Sequence, residues 1–383
     1  MGGFGWAARQ VSTLFNSRPE LGVSVSFLSG RSRRRGSPAA VHGTPIVFCG
    51  AGCDRQTLAR GKPDLLLTLD FRPRYRAVFD IFDRVPVIVW VRDPKPPHIQ
   101  AEVDSLRLPK DPSWPQGIKP INSRALAGAA AARVRAGIPV LFGTPAPSLA
   151  SVVRQTYGVG EVECVFLPNI VDRVDGPTIK SEKPQVIFLG RLDPIKRPWL
   201  FVELARFFPA VEFLMLGQPH FKGRGSWAAH DLPPNVRLFG HVDGALKHQI
   251  VSSAWVLVNT SIHESLPTSV LEALARETPI LSFTNQDNVT SRFGIVAPWC
   301  SGDGRKGLGA LVAGLRQLLD DTTRRTMLGR EGRRWVEGTH HAAGFLQAFD
   351  QLCASAGVQR MSALPAGRTL AAAAHGRGAH QCL

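Results

Sequence analysis

The sequence predicts an α/β protein made of two Rossmann-like, doubly wound domains that face each other across a cleft. Short apolar runs alternate with amphipathic stretches through most of the 383 residues, a pattern typical of parallel strands covered by helices on both faces. The length suits two domains. A polar stretch with a Gly-Pro break, DRVDGPTIKSEK at 173–184, separates two such series and predicts an interdomain linker.

The first domain is predicted over residues 1–172. Its strand-like runs are LGVSVSFLSG, TPIVFCG, DLLLTLD, VPVIVWV, GIPVLFGTP and VECVFLPN, with an alanine-rich helix around 124–136. A doubly wound domain places a strand before its first glycine turn, yet Met1 leads directly into GGFGWAARQVSTLF, the pattern of a turn entering a helix. We therefore expect the first strand to be missing, through a late chain start or truncation, and a sheet edge to be left open.

The second domain is predicted over residues 185–340. Its strand-like runs are QVIFLG, VEFLMLG, VRLFG, AWVLVNT and PILSF, and its helices are expected near 198–207, 244–253 and 268–277. A further helix at 341–356 is expected to pack back on the first domain. The Ala/Gly/Arg-rich remainder, 357–383, has few large apolar residues and is expected to be disordered.

The formal net charge of +16 is compatible with nucleic acid, an anionic membrane surface or an anionic small substrate. The basic run RSRRRG at 31–36 fits a solvated loop or a lipid-headgroup patch, and both interpretations stay open. No aromatic-and-basic stripe or zinc-finger spacing is present, which disfavours nucleic acid. With no signal pattern and no apolar run near 20 residues, we expect a cytoplasmic protein. Peripheral contact at the inner membrane face is a hypothesis that rests on the positive charge alone.

Two carboxylates stand out in HESLPTSVLEALARETP at 263–279. Glu264 lies in a loop after the buried run AWVLVNT, and Glu272 lies in the helix that begins near Pro267. In one interpretation both acids point into one pocket, where sugar and ribose hydroxyls would suit them. In the other, Ser269 and Glu272 form a capping box at the helix start.

Two cations stand out in FLGRLDPIKRPWLFVELA at 188–205. Gly190 ends a strand, and Arg191 and Lys196 follow it in the loop. A guanidinium fork and a point charge together suit a diphosphate, although solvated loop charges are the alternative. The sequence contains no Asp-x-Asp pair of the kind that holds magnesium on a diphosphate, which favours phosphates neutralised directly by side chains.

Taken together, GRLDPIK and LFGHVDGALKHQIVSSAWVLVNTSIHESLPTSVLEALARETPIL resemble the donor-binding half of the family 4 (group 1) glycosyltransferases, which have the two-domain GT-B fold. The spacing of Glu264 and Glu272 matches that family's Glu-x7-Glu motif, which is paired with an upstream Arg and Lys. The resemblance covers roughly 185–300. LPNIVD (167–172) and GGFG (2–5) resemble the end of the family's first domain and its N-terminal glycine loop.

The resemblance implies a role for each matching residue. Arg191 and Lys196 would bind the diphosphate of a nucleotide sugar and stabilise the leaving group, and Glu264 would contact the donor sugar. Glu272 would bind the ribose hydroxyls. The donor site would be completed by Gly3, Gly190 and the backbone around Ser265, Leu266 and Thr268. Family members of this kind retain anomeric configuration without a metal or cofactor.

The sequence departs from the family at three places. Glycine is frequent where this chain has Ser265 and Thr278, and Ser265 is expected to alter the sugar pocket. VWVRDPKPP (89–97) lies where relatives often carry a His-Asp pair. Arg92 and Asp93 are the candidates there, with Asp93 near the acceptor as a catalytic residue. The alternative is an Asp-Pro turn after a strand.

We therefore predict a hexosyltransferase of polysaccharide biosynthesis that uses a UDP- or GDP-linked sugar as donor and a glycan, lipid-linked compound or small molecule as acceptor. A nucleotide-sugar epimerase or a phosphorylase-like enzyme of the same fold is one alternative. A non-catalytic nucleotide-sugar-binding protein is another. Incubation with a panel of donors, with nucleoside diphosphate release measured with and without acceptors, distinguishes transfer from isomerisation and from binding without turnover.

Overall fold

The structure is a computed structural model that describes residues 3–29, 36–49, 62–72, 75–96, 98–99, 101–102, 106, 123–160, 163–219, 227, 231–358, 361 and 368–373. The chain divides into two compact units. Unit 1 comprises Met1–Pro94, Ile121–Ile170 and Ala342–Leu383, and unit 2 comprises Lys95–Pro120 and Val171–His341. The basic run RSRRRG lies outside the described residues except for its last glycine.

Strands and helices are numbered along the chain. The strands are β1 Val23–Ser29, β2 Ala40–Val41, β3 Thr44–Phe48, β4 Leu65–Leu69, β5 Val87–Trp90, β6 Val140–Thr144, β7 Cys164–Phe166, β8 Gln185–Leu189, β9 Glu212–Leu216, β10 Val236–Gly240, β11 Val256–Asn259, β12 Ile280–Ser282, β13 Gly294–Val296 and β14 Arg368–Ala373. The helices are α1 Gly3–Asn16, α2 Arg76–Ile81, α3 Ser123–Arg135, α4 Leu149–Tyr157, α5 Pro198–Ala205, α6 Gly244–Ser253, α7 Thr268–Leu274, α8 Val289–Phe293, α9 Leu308–Asp320, α10 Thr322–Thr339 and α11 Ala342–Ser355. Within the described ranges, no helix combines the length and the apolar character needed to cross a membrane.

In unit 1, β14 occupies the place of the strand expected to be missing. The sheet has the order β2-β3-β1-β14-β4-β5-β6-β7, and β14 pairs in parallel with both β1 and β4, where a doubly wound sheet has its first strand. This corrects the predicted open edge and, for Arg368–Ala373, the predicted disorder. The segment RTLAAA can form a central strand although it has few large apolar residues, because its backbone groups bond to both neighbours.

The middle of the unit 1 sheet is buried on both faces, as expected for parallel strands covered by helices. Every residue of β4 and β5 is buried. Helix α11 contributes to this core: the rings of Phe345 and Phe349 stack with centroids 5.6 Å apart, and Phe345 lies 5.1 Å from the ring of Trp90. Helix α11 therefore belongs to unit 1 although it follows unit 2 in the chain.

Unit 2 contains a parallel sheet in the order β10-β9-β8-β11-β12-β13, the usual order of a doubly wound domain. The rings of Phe188, Phe201 and Phe213 pack in its core with successive centroids 5.7 and 5.1 Å apart. The direction of strand progression reverses between β8 and β11, which are hydrogen-bonded neighbours. Doubly wound sheets bind ligands at this reversal point. The two sheets confirm the predicted α/β fold class with two doubly wound units.

One segment of the predicted first domain belongs to unit 2. Lys95–Pro120 connects β5 to α3 in the chain but groups with unit 2. Leu106 packs in the hydrophobic core of that unit, and the Glu102 carboxylate accepts a hydrogen bond from the Gly302 N–H. The boundary predicted at 172 therefore misses this segment, because sequence order does not show which core a connecting segment joins.

The predicted linker, 173–184, is fixed to unit 2. The Lys180 ammonium donates hydrogen bonds of 2.8 Å to the carbonyl oxygens of Ala254 and Arg276 and to the hydroxyl of Thr278. These three acceptors are uncharged, and burial lowers the pKa of Lys180 to about 7.

Proline at position 371 should destabilise unit 1. Ala371 pairs with Ser26 of β1 and Leu66 of β4, and a proline in a central strand removes a backbone donor from the ladder. We expect Ala371→Pro to reduce the free energy of unfolding in urea by about 2–3 kcal/mol. Ala371→Ser, which keeps the backbone N–H and a small side chain, is the control and should unfold nearly like the wild type. Equal stability of the two variants would show that β14 contributes nothing to the sheet.

Lys180 should make stability depend on pH. Its folded pKa of about 7 lies below the ordinary value of 10.5, so the unfolded state binds more protons between these values. The stability contribution of this group therefore rises with pH across that window, by at most about 1.4 kcal/mol per pH unit. In urea unfolding from pH 7 to 9, Lys180→Met should remove this rise, whereas the exposed-residue control Lys183→Met should keep it. A slope unchanged in Lys180→Met would refute the lowered pKa.

Candidate functional site

The loop after β8 begins at a close approach of two backbones. Gly217, which follows β9, has a φ of 156°, and a Cβ atom there would lie 1.8 Å from the carbonyl oxygen of Gly190. Glycine is the residue that permits this approach. The contact fixes Gly190 at the end of β8, and the chain then runs along the carboxyl edge of the sheet through Arg191 to Lys196.

Lys196 and Glu264 form an ion pair between the loops after β8 and β11, from Nζ to Oε1. The same carboxylate oxygen accepts hydrogen bonds from Ser261 Oγ at 2.5 Å and Asn259 Nδ2 at 3.3 Å. Gln286 donates to the Glu264 carbonyl oxygen at 2.9 Å. Within the described part of the chain, all hydrogen bonds of this carboxylate go to Oε1, so Oε2 remains as an acceptor.

Arg191 pairs with an aspartate of its own loop. Its Nη1 lies 3.0 Å from Asp193 Oδ2, and the Asp193 side chain is buried whereas that of Arg191 is 36% exposed. A guanidinium has five N–H donors, and this pair does not use all of them. Arg191 is therefore a solvent-accessible cation in the same loop as Lys196, and Asp193 compensates its charge.

Glu272 pairs with Lys247 of α6, and its carboxylate does not cap a helix. Glu272 Oε1 lies 2.8 Å from Lys247 Nζ, and both side chains are nearly buried. Helix α7 begins at Thr268, Pro267 precedes it, and no side chain caps it. The capping-box interpretation is therefore wrong, because the helix starts before Ser269.

The other predicted donor contacts lie in two places. Ser265 and Leu266 are buried in the loop after β11, and the Ser265 hydroxyl has no hydrogen-bond partner in the described structure. Thr268 is half-buried at the first position of α7. Gly3 belongs to unit 1, where it is the first residue of α1 and not part of a loop.

Asp93 and Arg92 follow β5 in unit 1, and Asp70 fixes their backbone. Asp70 Oδ1 accepts hydrogen bonds from the N–H groups of Arg92 at 2.6 Å and Asp93 at 3.1 Å. The buried Arg92 guanidinium lies 4.4 Å from the centroid of the Trp90 ring and donates to Asn169 Oδ1. Burial lowers the pKa of Arg92 to about 10. Arg92 therefore has a structural role between Trp90 and Asn169, and Arg92 and the half-buried Asp93 both remain candidates.

Arg197 connects the loops that carry the ion pair. It is fully buried and has a left-handed backbone with φ of 44°. Its guanidinium donates to the carbonyl oxygens of Thr260 at 2.8 Å, Ser261 at 3.2 Å and Cys300 at 2.6 Å. The Thr260 hydroxyl donates to the Lys196 carbonyl oxygen at 2.6 Å. Burial lowers the pKa of Arg197 to about 10.

The sequence patterns do not identify two buried cations, Lys247 and Arg197. Lys247 carries a detectable signal, because it shares the buried face of α6 with Ile250 and Val251 at a spacing of i, i+3 and i+4. A lysine on the apolar face of a helix needs a buried partner. Arg197 carries no such signal, because a left-handed backbone cannot be read from its side chain.

The family model described as glycosyl transferases group 1 matches residues 173–335. The lipopolysaccharide core biosynthesis glycosyltransferase LpsE of Rhizobium meliloti (strain 1021) is 24% identical over 213 residues, which cover 53% of this chain and 57% of LpsE. The chain thus matches little more than half the length of that relative. The family match confirms the resemblance for the segment that contains the three ion pairs of Lys196, Arg191 and Lys247.

Solved structures share the fold. Sucrose-phosphate synthase from Thermosynechococcus elongatus is similar with a TM-score of 0.66 at 16% identity, covering 92% of this chain and 94% of that one. Anabaena HepE in complex with UDP is similar with a TM-score of 0.61 at 14% identity, covering 81% of this chain and 86% of HepE. These similarities confirm the predicted GT-B fold.

Replacing Arg197 with glycine should destabilise the loops of the site. Glycine adopts a φ of 44° without strain, so the backbone is retained while the guanidinium bonds are lost. We expect Arg197→Gly to reduce the free energy of unfolding in urea by about 2–4 kcal/mol, because buried carbonyl oxygens lose their donors. Arg197→Lys keeps the charge with fewer donors, so its free energy of unfolding should lie between those of the wild type and Arg197→Gly. A glycine variant as stable as the wild type would contradict this role.

Proposed function

We propose that this chain, whose residues 173–335 match the group 1 glycosyl transferases, is a retaining, metal-independent glycosyltransferase. It would transfer a hexose-type sugar from a UDP- or GDP-linked donor to a glycan, lipid-linked or small-molecule acceptor. The observation that carries this proposal is the ion pair of Lys196 and Glu264 between the loops after β8 and β11. That position in unit 2 is where doubly wound sheets bind nucleotides.

Lys196 and Arg191 are the proposed ligands of the donor diphosphate. Cleavage of the bond between sugar and phosphate places negative charge on the departing diphosphate. A cation fixed beside that group stabilises the transition state more than the bound donor. Arg191 adds a fork of donors in the same loop. Two side-chain cations can thus supply the positive charge that a divalent metal supplies in other enzymes.

Glu264 is the proposed ligand of the donor sugar. Its Oε2 can accept a hydrogen bond from a sugar hydroxyl while Ser261 and Asn259 keep Oε1 in place. The carboxylate therefore keeps its orientation when the Lys196 ammonium turns towards the diphosphate. The neighbouring Ser265 hydroxyl, buried without a partner in the described structure, is a second group for the same sugar. Glu272 is the proposed ligand of the ribose hydroxyls.

Named relatives support the classes of donor and acceptor. HepE is solved with UDP and with UDP-glucose, which supports a uridine-linked donor. LpsE is named for lipopolysaccharide core biosynthesis, which supports a glycan acceptor. In unit 1, Asp93 is proposed to lie near the acceptor, because Asp70 fixes its backbone at the carboxyl end of β5.

Lys196→Ala should lower kcat by about two to three orders of magnitude, because the leaving group loses one preorganised cation. The measurement is nucleoside diphosphate release from a panel of UDP- and GDP-hexoses, with and without glycan acceptors. Lys183→Ala, at an exposed lysine outside these loops, is the matched control and should keep wild-type activity. Thermal unfolding of both variants checks that the fold is intact.

Wild-type activity in Lys196→Ala would exclude the diphosphate role. Two other results would overturn the assignment as a transferase. Isomerisation of the donor without acceptor-dependent release would indicate an epimerase, and donor binding without any turnover would indicate a binding protein.

A further inference from the structure

Lys247 is a buried lysine whose position is not explained by packing. Its side chain is 9% exposed, and its Nζ lies 2.8 Å from Glu272 Oε1 and 3.6 Å from Asp243 Oδ1. The Asp243 side chain is 45% exposed, whereas that of Glu272 is 12% exposed. Glu272 is therefore the partner that shares its buried surroundings.

The stability of the folded protein alone does not explain why this ion pair is present. Desolvation of two buried charges offsets most of their attraction, and apolar residues in their place are often as stable. Position 247 lies beside Ile250 and Val251 on the buried face of α6, where an apolar side chain would pack well. The main effect of the ammonium at this position is therefore on the charge and orientation of the Glu272 carboxylate.

Lys247 neutralises Glu272 and determines which of its oxygens is occupied. A lone carboxylate would repel a diphosphate bound at the same end of the sheet, and the ammonium cancels that charge. In the described part of the chain, the hydrogen bond to the carboxylate ends at Oε1, so Oε2 is left as an acceptor. Arg276 donates to the Glu272 carbonyl oxygen at 3.1 Å and fixes the backbone as well.

We propose that Lys247 is a positioning residue that orients the Glu272 carboxylate to accept hydrogen bonds from the ribose diol of the donor nucleotide. It thereby gives the site a preference for ribonucleotides over 2′-deoxyribonucleotides. This inference rests on the proposed function, in which Glu272 binds the ribose. Without the ammonium, the carboxylate is free to turn away from the diol, and the contribution of the 2′-hydroxyl is lost.

The test measures dissociation constants of the full chain for UDP, GDP and their 2′-deoxy analogues by calorimetry. A hydrogen bond to a charged acceptor corresponds to about tenfold or more in affinity, so the wild type should bind the ribonucleotide at least about tenfold more tightly. Lys247→Met should bring the two constants within about twofold, and Lys247→Arg should restore most of the preference. Glu272→Gln should weaken the preference even though Lys247 is present.

Two controls separate positioning from folding. Lys247→Gln removes the charge but keeps a polar side chain, and it should lose the preference as Lys247→Met does. Lys183→Met changes an exposed lysine outside the site and should keep the full preference. Because the readout is a ratio of two affinities within one variant, a general loss of stability does not change it.

The outcomes distinguish this inference from the proposed function. If the wild type binds neither nucleoside diphosphate, or binds ribo and deoxyribo forms equally, the ribose role of Glu272 fails. If the wild type discriminates, Glu272→Gln does not, and Lys247→Met still does, the ribose role stands and the positioning role of Lys247 is overturned.

Discussion

The ion pair between Lys196 and Glu264 depends on the adjacency of β8 and β11. These strands are distant in the chain but hydrogen-bonded in the sheet, so the loops that follow them meet at one edge. One Glu264 oxygen accepts Lys196, Ser261 and Asn259 together. This concentration of donors on a nearly buried carboxylate fixes the position of both charges. The rest of the proposed donor site is built around that fixed point.

The two cations proposed to bind the diphosphate, Lys196 and Arg191, and the positioning residue Lys247 all form ion pairs with carboxylates. Lys196 holds Glu264, Arg191 holds Asp193, and Lys247 holds Glu272. A cation that is partly removed from water needs a counter-charge or hydrogen-bond acceptors, and pairing keeps the loops ordered before a ligand binds. An incoming diphosphate must then compete with carboxylates already in place. Donor binding would accordingly be an exchange of partners, in which Lys196 and Arg191 give up part of their protein contacts for phosphate oxygens.

The sequence predicts what depends on order and spacing. Alternating apolar runs predict the two parallel sheets, and the spacing of Glu264 and Glu272 identifies acids that the structure pairs with the lysines Lys196 and Lys247. The sequence does not predict features that depend on contacts between residues distant in the chain. The composition of 357–383 indicates disorder, yet the free backbone groups of β1 and β4 order six residues of it as β14. The spacing of Ser269 and Glu272 likewise permits a capping box. The structure shows instead that α7 starts at Thr268 and that Glu272 pairs with Lys247.

Both units fix a candidate residue through a charged side chain on a left-handed backbone. Asp70, with φ of 67°, follows β4 and accepts hydrogen bonds from the N–H groups of Arg92 and Asp93 after the neighbouring β5. Arg197, with φ of 44°, follows Lys196 and donates to carbonyl oxygens after the neighbouring β11. Such a backbone is unfavourable by about 1–2 kcal/mol for a residue other than glycine. A glycine would remove that strain but also the charged group that connects the two loops. The strained backbone is therefore retained at positions where one buried charged side chain connects the end of one strand to the backbone that follows the neighbouring strand.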